Sequence, residues 1–89
     1  MRLVIAAPAN GAILKDALKA HLQNDPRVSS LVDLSSPERS YPQLSFAAAE
    51  EVAAGHADRA LLICGTGVGT AIAANKVRGI RAATAHDLL

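Results

Sequence analysis

Residues 64–70 read Cys-Gly-Thr-Gly-Val-Gly-Thr: the only cysteine of the chain, then three glycines at alternate positions. Glycine tolerates φ > 0 and close approach of the backbone to a ligand, so successive N–H groups can converge on one anion. A helix beginning just after such a turn adds the positive end of its dipole, which favours a phosphate or a developing oxyanion. Cys64 stands in those same fields, where a thiolate is stabilised and the thiol pKa falls toward neutrality. The stretch can thus hold an anion and supply a basic sulfur. It also has a plain structural use, because a glycine-rich turn packs tightly and a lone cysteine behaves as a small hydrophobe.

Nucleotide chemistry fits the pattern poorly. The glycines fall at 65, 67 and 69, which departs from G-x-G-x-x-G, and the turn follows the third apolar run of the chain. No acidic residue ends a strand ~20 residues further on, as ribose recognition needs, and no G-K-[ST] follows as in a P-loop.

The elements that must position this turn alternate in kind. Arg2–Ala6 is a short apolar run with the look of a strand covered on both faces. Pro8–Gly11 breaks it. From Ala12 to Leu22 the apolar residues Ile13, Leu14, Ala17, Leu18 and Leu22 recur at helical spacing, with Lys15, Asp16 and Lys19 expected on the outer side. Val28–Leu34 reads as a second strand, Ser35–Ser40 as a polar loop, and Pro42–Ala54 as an alanine-rich helix closed by Gly55. Asp58–Cys64 is the clearest buried strand. A helix over about Thr70–Lys76 and a fourth strand over Gly79–Thr84 complete the series, with His86–Leu89 opening a further element.

Strands alternating with helices predict one α/β domain over residues 1–89, a three-layer αβα, Rossmann-like or flavodoxin-like parallel sheet of about four strands. Ligands of such folds lie beyond the carboxyl ends of the strands. Pro8–Gly11, Ser35–Tyr41, Cys64–Gly69 and Ala85–Asp87 all fall on that edge.

Composition narrows the partners. Half of the chain is apolar, yet Phe46 and Tyr41 are its only aromatics, so the core is aliphatic. Nine basic and eight acidic residues are well mixed, for a net charge of +1. With no basic stripe and no aromatic platform, nucleic acid is not expected as a partner. No apolar run reaches the ~20 residues of a membrane helix, and the N-terminal run is read as a strand rather than a leader. One cysteine allows no internal disulfide and no cysteine-based zinc site. The cytoplasm is the expected compartment.

The run ADRALLICGTGVGTAIAANKVRGIRAATAHD, dense in ICGTG, AANK and GIRA, resembles the signature region of the ribose-5-phosphate isomerase B family. That family includes galactose-6-phosphate isomerase subunits and isomerases of four-carbon ketose phosphates. DLSS and Tyr41-Pro42 extend the likeness, and KAHLQNDPRVSS and RAATAHD are most similar to the erythrulose-phosphate branch. The resemblance implies aldose–ketose isomerisation of a small phosphorylated sugar through a cis-enediolate, with no metal and no cofactor. By motif position Cys64 is the base; Gly65, Gly67, Val68 and Gly69 form the anion hole; Thr66 assists ring opening or orients the chain; Tyr41 lines the pocket. Asn75, Lys76 and Arg81 also match, and are read as helix-end capping and surface charge.

Two departures from the family stand out. Where its members carry a polar pair at the end of the first strand, this chain has Pro8 and Ala9, and Asn10 is the nearest substitute. Family chains also continue past this length, into a part that bears a His-Asn pair and phosphate-binding arginines. His86 precedes that region, and His21 and His56 lie on a helix face and in a loop. The aliphatic surface that such a part would cover implies a homodimer or higher oligomer.

Overall fold

In the computed structural model, which describes residues 1–85, three parallel strands and three helices alternate along the chain. β1 (Arg2–Ala6) is central and pairs with β2 (Ser30–Asp33) on one side and β3 (Arg59–Leu62) on the other, giving the order β2-β1-β3. Leu3 of β1 stands opposite Leu31 and Arg59, and Ile5 opposite Asp33 and Leu61.

Side-chain alternation along β1 feeds both faces of the sheet. Ile5 is fully buried with Ala7 and Ile63, against Leu18, Leu31 and Leu61 beneath α1 (Ala12–Gln23). Val4 points the other way, to Ala48, Ala57 and Val52 beneath α2 (Tyr41–Ala53). α3 (Val68–Asn75) packs on α2, and both helices bury alanines, which lets the backbones approach closely. The three-layer α/β architecture is the one the alternating pattern predicts. α2 starts where proline costs least: Pro42 lies in its first turn, and the Gln43 amide oxygen accepts the Ser40 N–H at 2.9 Å.

β3, expected to be the clearest buried strand, is an edge strand with Arg59 and Ala60 exposed and Leu61 and Leu62 partly buried. Two further expectations need correcting. The face that α1 turns to the sheet is Lys15, Leu18, Lys19 and Leu22, while Ile13 and Leu14 are 91% and 56% exposed. An anion on the sheet decides this: Lys15 Nζ reaches Asp33 at the end of β2 at 2.8 Å, and Lys19, one turn on, reaches the same oxygen at 3.3 Å.

The second correction concerns Gly79–Thr84, which forms no strand; the sheet has three strands among the described residues. The backbone of Ala82 is already engaged, its N–H donating to Asn75 Oδ1 at 2.7 Å and its carbonyl accepting from Asn75 Nδ2 at 2.9 Å. A groove of about 730 Å³ separates this segment from the outer edge of β3. His86–Leu89 lie outside the described residues.

Candidate active site

The carboxyl edge of the sheet gathers its loops through one polar chain. Asp33 accepts hydrogen bonds from Lys15, Lys19 and the Ser35 N–H, and Ser35 Oγ in turn accepts the Ala7 N–H at 3.0 Å. Burial works to raise the Asp33 carboxyl, but these donors outweigh it and hold the group well below the ordinary carboxylate range. The exits of β1 and β2 are thereby tied together, which fixes Pro8 and the short turn Ala9–Gly11 beside the glycine turn.

A pocket of about 360 Å³ opens there, lined by Pro8, Asn10, Tyr41, Cys64, Gly65, Thr66 and Gly69. Tyr41, at the start of α2, forms one wall by lying on Gly69: a Cβ at that glycine would stand 2.5 Å from the ring. Asn10 brings its amide toward Gly65, where an added Cβ would lie 3.4 Å from Nδ2. Of the expected site residues, Cys64, Thr66, Tyr41, Gly65, Gly69 and Asn10 share this pocket. Gly67 and Val68 do not line it. Val68 is half exposed, its N–H 3.3 Å from Thr66 Oγ1, and Gly67 serves the sulfur instead.

The surroundings of Cys64 suit a thiolate. Gly67, with φ near +80°, donates its N–H to Sγ at 3.0 Å, and Thr70 Oγ1 lies 3.5 Å away. Burial pushes the thiol up; the Thr70 hydroxyl and the N–H groups of Gly67, Thr66 and Thr70 more than offset this, and the thiol is lowered from its ordinary value. Thr70 escapes sequence reasoning because it closes the glycine run without being a glycine. Its signal is a hydroxyl three residues after Gly67, within reach of the first turn of α3.

The remaining candidates lie apart. Lys76 is exposed, and Arg81 faces the larger groove. His21 is exposed on α1, and His56 pairs with Glu51 at 3.1 Å before β3, at the opposite edge of the sheet. Position 86 is outside the described residues. Among the described residues no three His, Cys, Asp or Glu side chains cluster as a metal site would need, and no helix is long and apolar enough to cross a membrane.

Comparison with known proteins places this geometry in context. The family model described as ribose/galactose isomerase matches residues 3–89. D-erythrulose-4-phosphate isomerase 2 of Mycolicibacterium smegmatis is 53% identical over 92 residues, covering 99% of this chain and 60% of that protein. Ribose-5-phosphate isomerase B of Escherichia coli is 44% identical over 78 residues, covering 86% and 52%. The solved type B ribose 5-phosphate isomerase of Leishmania infantum superposes with a TM-score of 0.88 at 30% identity, over 97% of this chain and 58% of that one. The chain therefore spans little more than half the length of the relatives it matches.

Proposed function

The chain belongs to the ribose/galactose isomerase family, and on that premise we propose that it interconverts the aldose and ketose forms of a tetrose or pentose phosphate through a cis-enediolate. The observation that carries this reading is a thiol in a pocket with a backbone N–H donated to its sulfur at 3.0 Å. As thiolate, Cys64 takes the proton from the carbon beside the carbonyl, and the electron pair moves onto the carbonyl oxygen. The thiol then returns the proton to the neighbouring carbon while the hydroxyl proton crosses between the two oxygens. No electrons leave the substrate, so the reaction is redox-neutral and needs no cofactor.

The backbone at Gly65 and Gly69 faces the enediolate oxygen, where donors aligned in advance stabilise charge as it develops. Gly67 donates its N–H to the sulfur and so favours the thiolate over the thiol, and Val68 holds Thr66 through its N–H. Thr66 orients the open chain or assists ring opening, Asn10 takes a sugar hydroxyl, and Tyr41 closes the wall. Between the two, the 53% identical relative named for erythrulose 4-phosphate supports a four-carbon sugar. The protein acts as a homodimer or higher oligomer in the cytoplasm, where its single thiol stays reduced.

The test is deuterium uptake. Tetrulose, ribulose and ribose phosphates are incubated in D₂O with the protein and with Cys64→Ala, and the proton beside the carbonyl is followed by NMR. Exchange falls by about 10²-fold or more in the variant, the usual loss for a removed base. It also weakens as pH drops through the thiol's pKa, which the Thr70 hydroxyl and the N–H groups around the sulfur hold below its ordinary value. Undiminished exchange in Cys64→Ala would refute the assignment.

A second reading has its own support: no charged side chain lines the 360 Å³ pocket among the described residues, so a bound phosphate there lacks a cationic partner. On that reading the chain binds phosphosugars without turning them over. Saturable sugar-phosphate binding by the folded protein, with no exchange in D₂O, would favour it.

A further inference from the structure

The Gly67 carbonyl is offered more hydrogen than it can accept. Three donors reach it: the Ala71 N–H at 3.1 Å, the Thr70 hydroxyl at 3.0 Å and the Thr84 hydroxyl at 3.3 Å. A carbonyl oxygen has two lone pairs, so one donor is in surplus. Of the three, only Thr70 also lies within reach of the Cys64 sulfur, 3.5 Å away. A threonine hydroxyl carries a single proton and can serve the carbonyl or the sulfur, not both at once.

We propose that Thr84 is a positioning residue for Cys64, holding the Gly67 carbonyl so that the Thr70 proton is free to turn to the sulfur; the proposal rests on the reading of Cys64 as the base. With a neutral thiol the S–H donates to Thr70 Oγ1, and Thr70 donates to Gly67. When the sulfur loses its proton, Thr70 rotates and donates to the thiolate, while Thr84 and the Ala71 N–H keep the carbonyl satisfied. Without the Thr84 hydroxyl, two donors face two lone pairs and Thr70 stays on the carbonyl.

The placement of Thr84 is itself secured. Asn75, at the end of α3, grips both backbone groups of Ala82 and so returns the chain to the start of its own helix. There the Thr84 methyl covers Gly67, where an added Cβ would lie 2.9 Å from Cγ2. Glycine restrains its own backbone least of all residues, so this contact also keeps Gly67 in the left-handed conformation that aims its N–H at the sulfur. The titratable groups sharing the two cavities that border Cys64 are Tyr41 in the pocket and Asp58, Arg59 and Arg81 in the groove; none of them is hydrogen-bonded to the sulfur.

Iodoacetamide alkylation of Cys64, followed across a pH series, reads thiolate content without any sugar. Thr84→Val keeps the shape and removes the hydroxyl; its alkylation midpoint moves up, and reactivity at neutral pH falls about two- to tenfold, the reach of one hydrogen bond. Thr84→Ser, which keeps the hydroxyl and loses only the methyl on Gly67, recovers most of the difference between Thr84→Val and wild type. Thr70→Val slows alkylation as well, and adding Thr84→Val to it changes nothing further, because Thr84 acts through Thr70. An unchanged midpoint in folded Thr84→Val overturns the proposal, as does an additive double variant. Thr84 is exposed, so the Val and Ser variants decide the question even if Thr70→Val does not fold. Exchange that survives in Cys64→Ala would instead defeat the reading of the base and leave the alkylation result standing, so the two failures are distinguishable.

Discussion

Gly69 is demanded by its neighbour rather than by its own backbone. Its φ is not positive, yet the Tyr41 ring occupies the space a side chain would need. Gly69→Ala must therefore displace the ring, and Tyr41 is 44% exposed and free to swing outward. We expect little loss of thermal stability but a drop in turnover of about 10- to 100-fold, since one wall of the pocket moves. The chain has one tyrosine and no tryptophan, so its intrinsic fluorescence reports this ring alone. Emission identical to wild type in Gly69→Ala would mean that the contact does not exist in solution. At this scale the grouping was legible: most of the residues expected together from the glycine turn and its cysteine do line one pocket. The hydroxyls of Thr70 and Thr84 were not, because their role follows from the lone pairs of one carbonyl and not from spacing.

Among the elements, α1 shows where helical periodicity misleads. The apolar residues of its sequence repeat correctly, but a carboxylate at the end of β2 outbids Ile13 and Leu14 for the inner face. Burying an unpaired charge costs more than exposing two aliphatic side chains, and pairing makes burial of Lys15 tolerable. Asp33→Asn should cost about 2 kcal/mol, on the low side for a broken buried pair because Lys15 keeps Asp16 at 2.9 Å. The sign with pH follows from the lowered carboxyl. A group whose folded pKa is depressed contributes fully above its unfolded value, near ~3.9, and loses that contribution as pH falls. Urea unfolding of the two proteins should therefore diverge at neutral pH and converge on acidification below about pH 4. A constant difference across that range would show that the carboxylate is not the source. β1 was readable to the residue, since a doubly covered strand is a continuous apolar run. The Gly79–Thr84 segment was not, for a strand is defined by its partner, and here the Asn75 side chain answers Ala82 in place of one.

For the molecule as a whole, the question is what covers its apolar surface. The accessible area is 6002 Å², whereas a folded chain of this mass is expected to expose roughly 4,900 Å². The excess, on the order of 1,000 Å², is total surface, polar and apolar together. The outer face of α1 is the strongest candidate, because Ile13 is 91% exposed, Leu14 56%, and Ala17 continues the stripe at helical spacing. A second patch, Val68 and Ile72, lies one turn apart on α3, each more than half exposed. The lysines of α1 are turned inward to Asp33, which leaves Asp16 as the exposed charge at the border of the stripe. Sedimentation at micromolar concentration is expected to give a dimer, with Ile13→Glu and Leu14→Glu each shifting it to monomer while the fold is kept. Substituting Ile72 should leave the dimer intact. If Ile72→Glu dissociates it and the α1 variants do not, the interface lies on α3. A wild-type chain that sediments as a monomer would deny both faces a partner in a second copy.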